Sequence, residues 1–350
     1  MKYKMLGKSG LRVSELCLGA MSFGTGWGYG SEDDESKKVF EAFTNAGGNF
    51  IDTADNYLEG HSETLLGGFI HSERDRYVIA SKCTLCSPVG SQYPGDPNAT
   101  GTNRKHMREA VEASLRRLNT DYLDILYVHV WDFLTPVEEV MRGMDDLVRS
   151  GKVHYIGVSN APAYVVARAN TIAELRGWTR FEVYEGQYSL LSRTIEREVR
   201  PMTRDLDMAV TCWQPLSGAL LSGNEEEINI RVRSGYPAPS AAQWEVIRLV
   251  GAMAKEVGAS PAQVALNWLR QQPGVVIPIM GVRKAEHVQD NLKCLEWELT
   301  AEQMQCLNDA TRIDLGYPGF DLSLVLPGMT YNNMQAQLED QGRLPAYFGR

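Results

Sequence analysis

Long apolar runs, a basic excess and paired cysteines are all scarce in this chain, and each absence removes a class of protein. No uninterrupted apolar stretch reaches the roughly 20 residues that a membrane helix needs, so no membrane partner is expected. The N-terminus, MKYKMLGKSG, lacks an apolar h-region, so no signal peptide is expected and cytoplasm is the expected location. The net charge is −9 over 350 residues, with acids and bases interspersed. A nucleic-acid partner would require a basic face, and none is expected. The six cysteines are scattered, unlike those of a secreted disulfide scaffold. Cys83 and Cys86 form a C-x-x-C, but a zinc site needs a second ligand pair and no suitable one is present. A redox motif normally opens a helix, whereas Ser87-Pro88-Val89-Gly90 reads as loop. Both cysteines are read as free thiols, and no metal is expected. There is no G-x-G-x-x-G and no P-loop lysine motif.

What is present is an alternation of strand and helix along the chain. Strands are predicted at LCLGA (16–20), NFIDT (49–53), YVIASK (77–82), LDILYVHV (123–130), VHYIGVSN (153–160), FEVYE (181–185), MAVTCW (208–213) and VVIPI (275–279). Helices fall between them. Capping-box patterns predict starts at Ser31-x-x-Asp34, at Thr135-Pro136-Val137-Glu138 with proline in the first helical position, and at Thr300-x-x-Gln303. Another helix is predicted to begin at Ser260-Pro261-x-Gln263, a short one at SETLLGGFI (62–70), and one over 103–118 with Met107, Val111, Leu115 and Leu118 on one face. Eight strands alternating with helices predict an α/β fold, a parallel (β/α)8 TIM barrel in one domain. Residues 3–14 read as a β-hairpin outside the barrel, turning at Gly7-Lys8-Ser9-Gly10. Residues 1–350 are read as that single domain, with a core of about 3–312 and a C-terminal tail over 313–350 whose role is open.

In such a barrel the chemistry sits at the C-terminal ends of the strands. Read in order, those ends are Asp52, Lys82, His129, Ser159-Asn160, Glu185 and Trp213. An unpaired carboxylate at a core edge is costly, so Asp52 needs a cation, and Lys82 is the expected partner. Tyr57 follows in the loop after Asp52, placed to fold over Lys82. A nearby ammonium favours phenolate and lowers the tyrosine pKa, which is ordinarily about 10. Such a phenol donates a proton, while His129 positions the atom that receives it. Singly, each residue has a bland reading: a rim salt bridge, a core histidine, a loop aromatic. Their coincidence at one rim favours catalysis.

The stretches LCLGAMSFG, NFIDTADNYLEGHSE, YVIASK, LDILYVHVWD, GKVHYIGVSN, QYSLLSR, WQPLSGALLSG and GVRKAEHVQDNL together resemble the aldo-keto reductase family, in its bacterial and potassium-channel β-subunit-like branch, over roughly residues 3 to 312. That resemblance implies an NADP(H)-dependent oxidoreductase that reduces aldehyde or ketone carbonyls, or oxidises the corresponding alcohols. It implies a catalytic tetrad of Asp52, Tyr57, Lys82 and His129, with Tyr57 as the general acid. It implies cofactor contacts from Ser22, Phe23, Asp52, Ser159, Asn160, Glu185, Trp213, Gln214, Pro215, Leu216, Gly218, Arg233, Gly281, Arg283, His287, Asp290 and Asn291. Arg283 suits a 2′-phosphate and so favours NADP over NAD. The expected substrate pocket comprises Phe23, Trp27, Tyr57, His129, Trp131 and Asp132.

Three positions depart from the family pattern. Glu185 stands where glutamine is usual, Asn224 where lysine is frequent, and His287 where glutamine is frequent. A carboxylate at 185 accepts from a carboxamide but cannot donate. It either reaches the carboxamide, or pairs with a basic neighbour such as Lys82, or turns to water. Gln187 should point the same way as Glu185 if the strand extends that far. Two other readings were weighed: a cofactor-sensing regulatory subunit with slow catalysis, and a glycoside hydrolase, which needs two carboxylates facing one bond. The substrate is a small carbonyl or alcohol of open identity, and the oligomeric state is open.

Overall fold

The computed structural model describes residues 1–86, 95–223, 225–233, 235, 237–334 and 337. Ten strands are present among them. Two form an antiparallel hairpin, β1 (Tyr3–Met5) and β2 (Arg12–Ser14), with Tyr3 opposite Ser14. The other eight are β3 (Cys17–Gly19), β4 (Phe50–Asp52), β5 (Val78–Cys83), β6 (Leu123–Val128), β7 (Val153–Ser159), β8 (Phe181–Gln187), β9 (Ala209–Trp213) and β10 (Val276–Gly281). They close into a parallel barrel in chain order, with β10 returning to β3.

The helices are α1 (Asp33–Asn45), α2 (His61–Ile70), α3 (Arg104–Leu118), α4 (Val137–Arg149), α5 (Ala163–Arg176), α6 (Val199–Asp205), α7 (Glu225–Arg233), α8 (Ala241–Val257), α9 (Pro261–Arg270), α10 (Ala285–Leu292), α11 (Ala301–Ala310) and α12 (Gly319–Val325). α12 lies within the expected tail, with Phe320 and Leu324 exposed. No helix among the described residues is long and apolar enough to cross a membrane.

The two-residue period of a strand separates two cores. Ile51, Ile79, Leu126, Val128, Ile156 and Val158 pack outward against the helices. Phe50, Val78, Ala80, Ile125, Tyr127, Val183, Ala209, Ile277 and Ile279 fill the lumen. Tyr127 reaches across because Gly157 leaves room; a Cβ there would lie 2.5 Å from the ring. The hairpin closes the lower end, contributing Leu6 and Val13 to the inner core. It is held by the Glu15–Arg270 ion pair at 2.7 Å and by Lys4 Nζ donating to Val276 O at 2.9 Å.

Two helix starts differ from expectation. α1 is capped at Glu32 without a side-chain bond, because the Ser31 hydroxyl donates instead to Arg283 O at 2.7 Å. The acids Asp33, Asp34 and Glu35 then suit its N-terminal dipole. At α4, Pro136 is the N-cap itself with extended ψ, and the Thr135 hydroxyl turns to Asp132. The Ser260 and Thr300 caps form as predicted, accepting from Gln263 N and Gln303 N. β8 extends to Gln187, so Gln187 shares the parity of Glu185.

Helix α2 lies against the end of α3 through Gly67, where an added Cβ would sit 2.7 Å from Arg117 O and 2.8 Å from backbone atoms of Leu118. Alanine is the better helix former by about 1 kcal/mol. Overpacking costs roughly 1–3 kcal/mol, and a backbone neighbour cannot swing aside as a side chain does. Gly67→Ala is therefore expected to destabilise the protein by about 1–2 kcal/mol in urea unfolding. A gain in stability would mean that the two helices separate freely.

Candidate active site

Strand parity brings the predicted strand-end residues to one place. Asp52 ends β4, and Lys82 lies one residue from the end of β5 with the same inward parity as Val78 and Ala80. Lys82 is completely buried, and its ammonium is held by three acceptors: Asp52 Oδ2 at 2.5 Å, Thr53 O at 3.0 Å and Tyr57 Oη at 3.1 Å. Asp52 is thus paired as its position demanded. Burial works against the ammonium, but Asp52, Glu185 and Tyr57 together hold the Lys82 pKa well above its ordinary value.

Tyr57 opens a short 3-10 turn after β4 and stands over Lys82. Its net pKa shift is opposite to the expected one. Burial pushes it up, Lys82 pulls it down, and Asp52 and Glu185 push it up again. The attraction to Lys82 is present but outweighed by removal of the phenol from water. Tyr57 is therefore a protonated donor at neutral pH, poised beside a fixed positive charge.

His129 follows β6, its ring centroid 5.9 Å from that of Tyr57 at 81°. Burial, then the Lys82 charge, push its pKa down to about 3, so the imidazole is neutral and offers an N–H rather than a charge. Asn160, beyond β7 with φ of 48°, donates to His129 O at 3.1 Å and to Ser159 Oγ at 2.9 Å. Trp27 stands edge-on to Tyr57 with centroids 6.5 Å apart, and Tyr29 lies next to it at 6.2 Å. Both are about two-fifths exposed, as side chains at the mouth of a cleft would be.

Glu185 does not stand open at the rim. It is 3% exposed, with Oε1 3.5 Å from Lys82 Nζ. Of the arrangements open to it, this is the pairing with Lys82; the 3% exposure leaves no turn to water. Gln187, two residues on and exposed, donates to Gln214 Oε1 at 3.1 Å, level with Trp213 across the β8–β9 register. The loop after β9 then turns through left-handed residues at Gln214, Ser217, Gly218 and Ala219, with Pro215 buried and Leu216 against the core. On the β10 side Gly281 and Arg283 are exposed, His287 is half-buried and Asn291 is buried. Arg283 makes no salt bridge among the described residues.

Several expected contacts have other partners. Ser22 donates its hydroxyl to Val282 O at 2.8 Å, tying the β3 loop to β10. Phe23 is fully buried against Phe69, a core residue rather than a pocket wall. Trp131 is 4% exposed in the outer core. Asp290 accepts from Ser260 Oγ and Gln263 Nε2, joining α9 to α10. Arg233 is exposed at the end of α7, with Nε bonded to Asn229 O. Asn224 and residues 87–90 lie outside the described residues.

Asp132 is likewise spoken for. Its carboxylate accepts from Thr102 N and Oγ1, Leu134 N, and Thr135 N and Oγ1, all at 2.7–3.0 Å. It organises the loops flanking the cleft instead of facing a ligand. A residue that sequence reasoning passed over is Glu63, fully buried between Ser81 Oγ and Arg117 Nε, each at 2.6 Å. It backs the strand that carries Lys82. Its only sequence signal was its place in GHSE, an ordinary helix start.

With this geometry in place, the comparisons with known proteins are informative. The model of the aldo/keto reductase family matches residues 15–312. The chain belongs to that family and is an oxidoreductase. Among its relatives is an aryl-alcohol dehydrogenase [NADP(+)] of Phanerodontia chrysosporium, 40% identical over 329 residues that cover 88% of this chain and 85% of the relative. A norsolorinic acid reductase of Emericella nidulans is 40% identical, covering 89% and 81%. A putative aryl-alcohol dehydrogenase of Saccharomyces cerevisiae is 36% identical, covering 91% and 88%.

The Asp132 arrangement sets a stability test. Burial opposes its charge, but the N–H groups of Thr135 and Thr102, then their hydroxyls, hold its pKa down at about 2. A depressed carboxyl contributes stability above its unfolded pKa and loses it as pH falls through the folded one. Asp132→Ala should cost about 2–3 kcal/mol at neutral pH, since several bonds to a charge are lost together. The parent's advantage should shrink between about pH 4 and 2. An unfolding midpoint unmoved at pH 7 would show that the loops hold without it.

Proposed function

We propose that the chain uses NADPH to reduce the carbonyl of an aromatic or otherwise apolar aldehyde or ketone, and runs the reverse oxidation when alcohol and NADP⁺ are in excess. The observation that carries this reading is the Tyr57 hydroxyl held 3.1 Å from a fully buried ammonium at the mouth of the barrel.

Three features support the cofactor assignment. Trp213 carries a buried indole N–H with no acceptor among the described residues. The Ser159 hydroxyl and the Asn160 amide offer both donor and acceptor to a carboxamide at the end of β7. Among the described residues no atom lies within 4 Å of a Cβ added at Gly281, and Arg283 beyond it makes no salt bridge, leaving a guanidinium suited to a 2′-phosphate. The donor set therefore fits an extended dinucleotide along the rim, held by Ser159, Asn160, Trp213, Gly281 and Arg283.

When bound, the nicotinamide supplies hydride to the carbonyl carbon. Tyr57 gives its phenolic proton to the carbonyl oxygen. Lys82 stabilises the phenolate that results, and Asp52 keeps Lys82 charged and in place. Neutral His129 donates an N–H toward the same oxygen and so fixes the direction of approach. Trp27 and Tyr29 present aromatic faces beside Tyr57, which suits a flat apolar substrate. The names of the aryl-alcohol dehydrogenases and norsolorinic acid reductase among the relatives agree with that choice.

The test is Tyr57→Phe, assayed with an aromatic aldehyde. Loss of the general acid should lower kcat by about 10²–10⁴-fold with little change in NADPH affinity. Activity within a few-fold of the parent would remove Tyr57 from the mechanism. NADH, titrated in parallel, should bind more weakly than NADPH, and Arg283→Ala should narrow the gap. Equal affinities in the parent would deny Arg283 its role.

A further inference from the structure

Beneath Tyr57 lie two carboxyl groups and one ammonium, almost wholly out of water. Asp52 and Glu185 are each 3% exposed and Lys82 is 0% exposed. With both carboxyls ionised, the cluster carries one uncompensated negative charge in a place where charge is poorly tolerated. The donor count is also short. An ammonium has three N–H groups, and Asp52 Oδ2, Thr53 O and Tyr57 Oη take all three. Glu185 Oε1, at 3.5 Å, feels the charge of Lys82 but receives no N–H of its own. Asp52 Oδ1 and Glu185 Oε2 are both buried without a donor among the described residues. Ionised carboxylates only accept. Yet these two groups flank the same ammonium, at 2.5 and 3.5 Å, and act directly on each other.

We propose that Asp52 and Glu185 share one proton at neutral pH, which makes Glu185 a positioning residue that keeps the cluster under Tyr57 electrically neutral. The shared proton is the donor that the two carboxyls otherwise lack. Burial first, and the Asp52 charge second, push the Glu185 carboxyl up to about 8. Of the other titratable groups around the cluster, Asp55, in the loop after β4 and within the field of Lys82, is also pushed up to about 8, by burial first and then by Glu63, and the comparison with Glu185→Gln separates the two. Cys17 on β3 and Tyr127 on β6 are pushed well above their ordinary values by burial, and Cys212 on β9 is pushed up to about 12. His129 is already neutral. β7 and β10 present Gly157, Ser159, Ile277 and Ile279, which do not titrate.

This gives the Glu185 departure a physical reading. A protonated carboxyl both donates and accepts, as a glutamine amide does, whereas a carboxylate only accepts. As pH rises through about 8 the proton passes to solvent, and the cluster goes from net zero to one net negative charge. The added charge opposes phenolate on Tyr57, so proton donation to a carbonyl becomes harder.

The test compares the parent with Glu185→Gln, which is nearly isosteric. In infrared difference spectra of the cofactor-free protein, the parent should show at pH 6–7 a protonated-carboxyl stretch additional to the one that Asp55 gives in both proteins. This additional stretch should shift in D2O, vanish on titration above about pH 8, and be absent from Glu185→Gln. The sign on stability follows from a raised folded pKa: the contribution is full below the unfolded value and is lost as pH rises through the folded one. The Tm of the parent relative to Glu185→Gln should therefore fall from about pH 5 to pH 8. In the kinetic arm, which rests on the reductase reading, kcat/KM for reduction should drop through about pH 8 in the parent, and that inflection should be lost in the variant. Absence at pH 6–7 of a carboxyl band that the parent has and Glu185→Gln lacks would overturn the proposal whatever the kinetics show. A band that titrates while the kinetic inflection persists in the variant would leave proton sharing intact and overturn its role in donation. Should Glu185→Gln fail to fold, the same titration in Asp55→Asn, which keeps only the Glu185 and Asp52 band, decides the question: a band that titrates near pH 8 supports the proposal and its absence overturns it.

Discussion

The structure turns on one buried ammonium. Lys82 has no exposure, and nothing in an apolar barrel would tolerate it without a full set of acceptors. Those acceptors come from β4 and the loop after it: the Asp52 carboxylate, the Thr53 carbonyl and the Tyr57 hydroxyl. The register of β4 with β5, Asp52 opposite Ala80, is what sets Lys82 above its counter-ion. Breaking a buried pair by removing one member is strongly destabilising, commonly by about 3–5 kcal/mol. The interaction that, in the proposed mechanism, prepares the phenol for proton donation is therefore also one that the fold requires. The surrounding shell serves it: Tyr127 fills the lumen below, and Glu63, bonded to Ser81, backs the same strand.

Much of this was legible in sequence, for a reason that can be stated. A strand alternates faces every residue, and in a parallel barrel its last inward position faces the rim. Asp52, Lys82, His129, Ser159 and Trp213 could thus be read from strand ends alone, and the contacts of Asp52, Lys82 and Tyr57 follow that reading. What failed was side-chain choice between competing partners. Ser31 and Thr135 have the spacing of capping residues, but each hydroxyl found a nearer acceptor, Arg283 O and Asp132. Asp132 looked like a pocket residue because it follows a strand end. Its five bonds come from Thr102 and residues 134–135, and no periodicity encodes that convergence. Phe23 and Trp131 were assigned to the pocket by type, since an aromatic near a rim reads the same whether it faces the cleft or the helices.

The direction of the Tyr57 shift shows the limit of pairwise reasoning. An ammonium beside a phenol lowers its pKa, but burial and two nearby acids act on the same group and prevail. In the proposed reaction the gain from Lys82 is realised only as negative charge develops on the phenol oxygen during proton transfer. This is preorganisation in the strict sense: the stabilising charge is in place beforehand and need not reorient. It also explains why the charge state of Glu185, which faces the same ammonium from the opposite side of the barrel, bears on the chemistry without touching a substrate.

The central claim is that Lys82 and Tyr57 act as one unit. The direct measurement is a double-mutant cycle on reduction under single-turnover conditions, with Lys82→Met, Tyr57→Phe and the double variant beside the parent. Residues that act together lose their effect together, so the double variant should be no slower than the slower single variant, within a few-fold. Losses that multiply in the double variant would show that Lys82 contributes independently of the phenol, and would contradict the account.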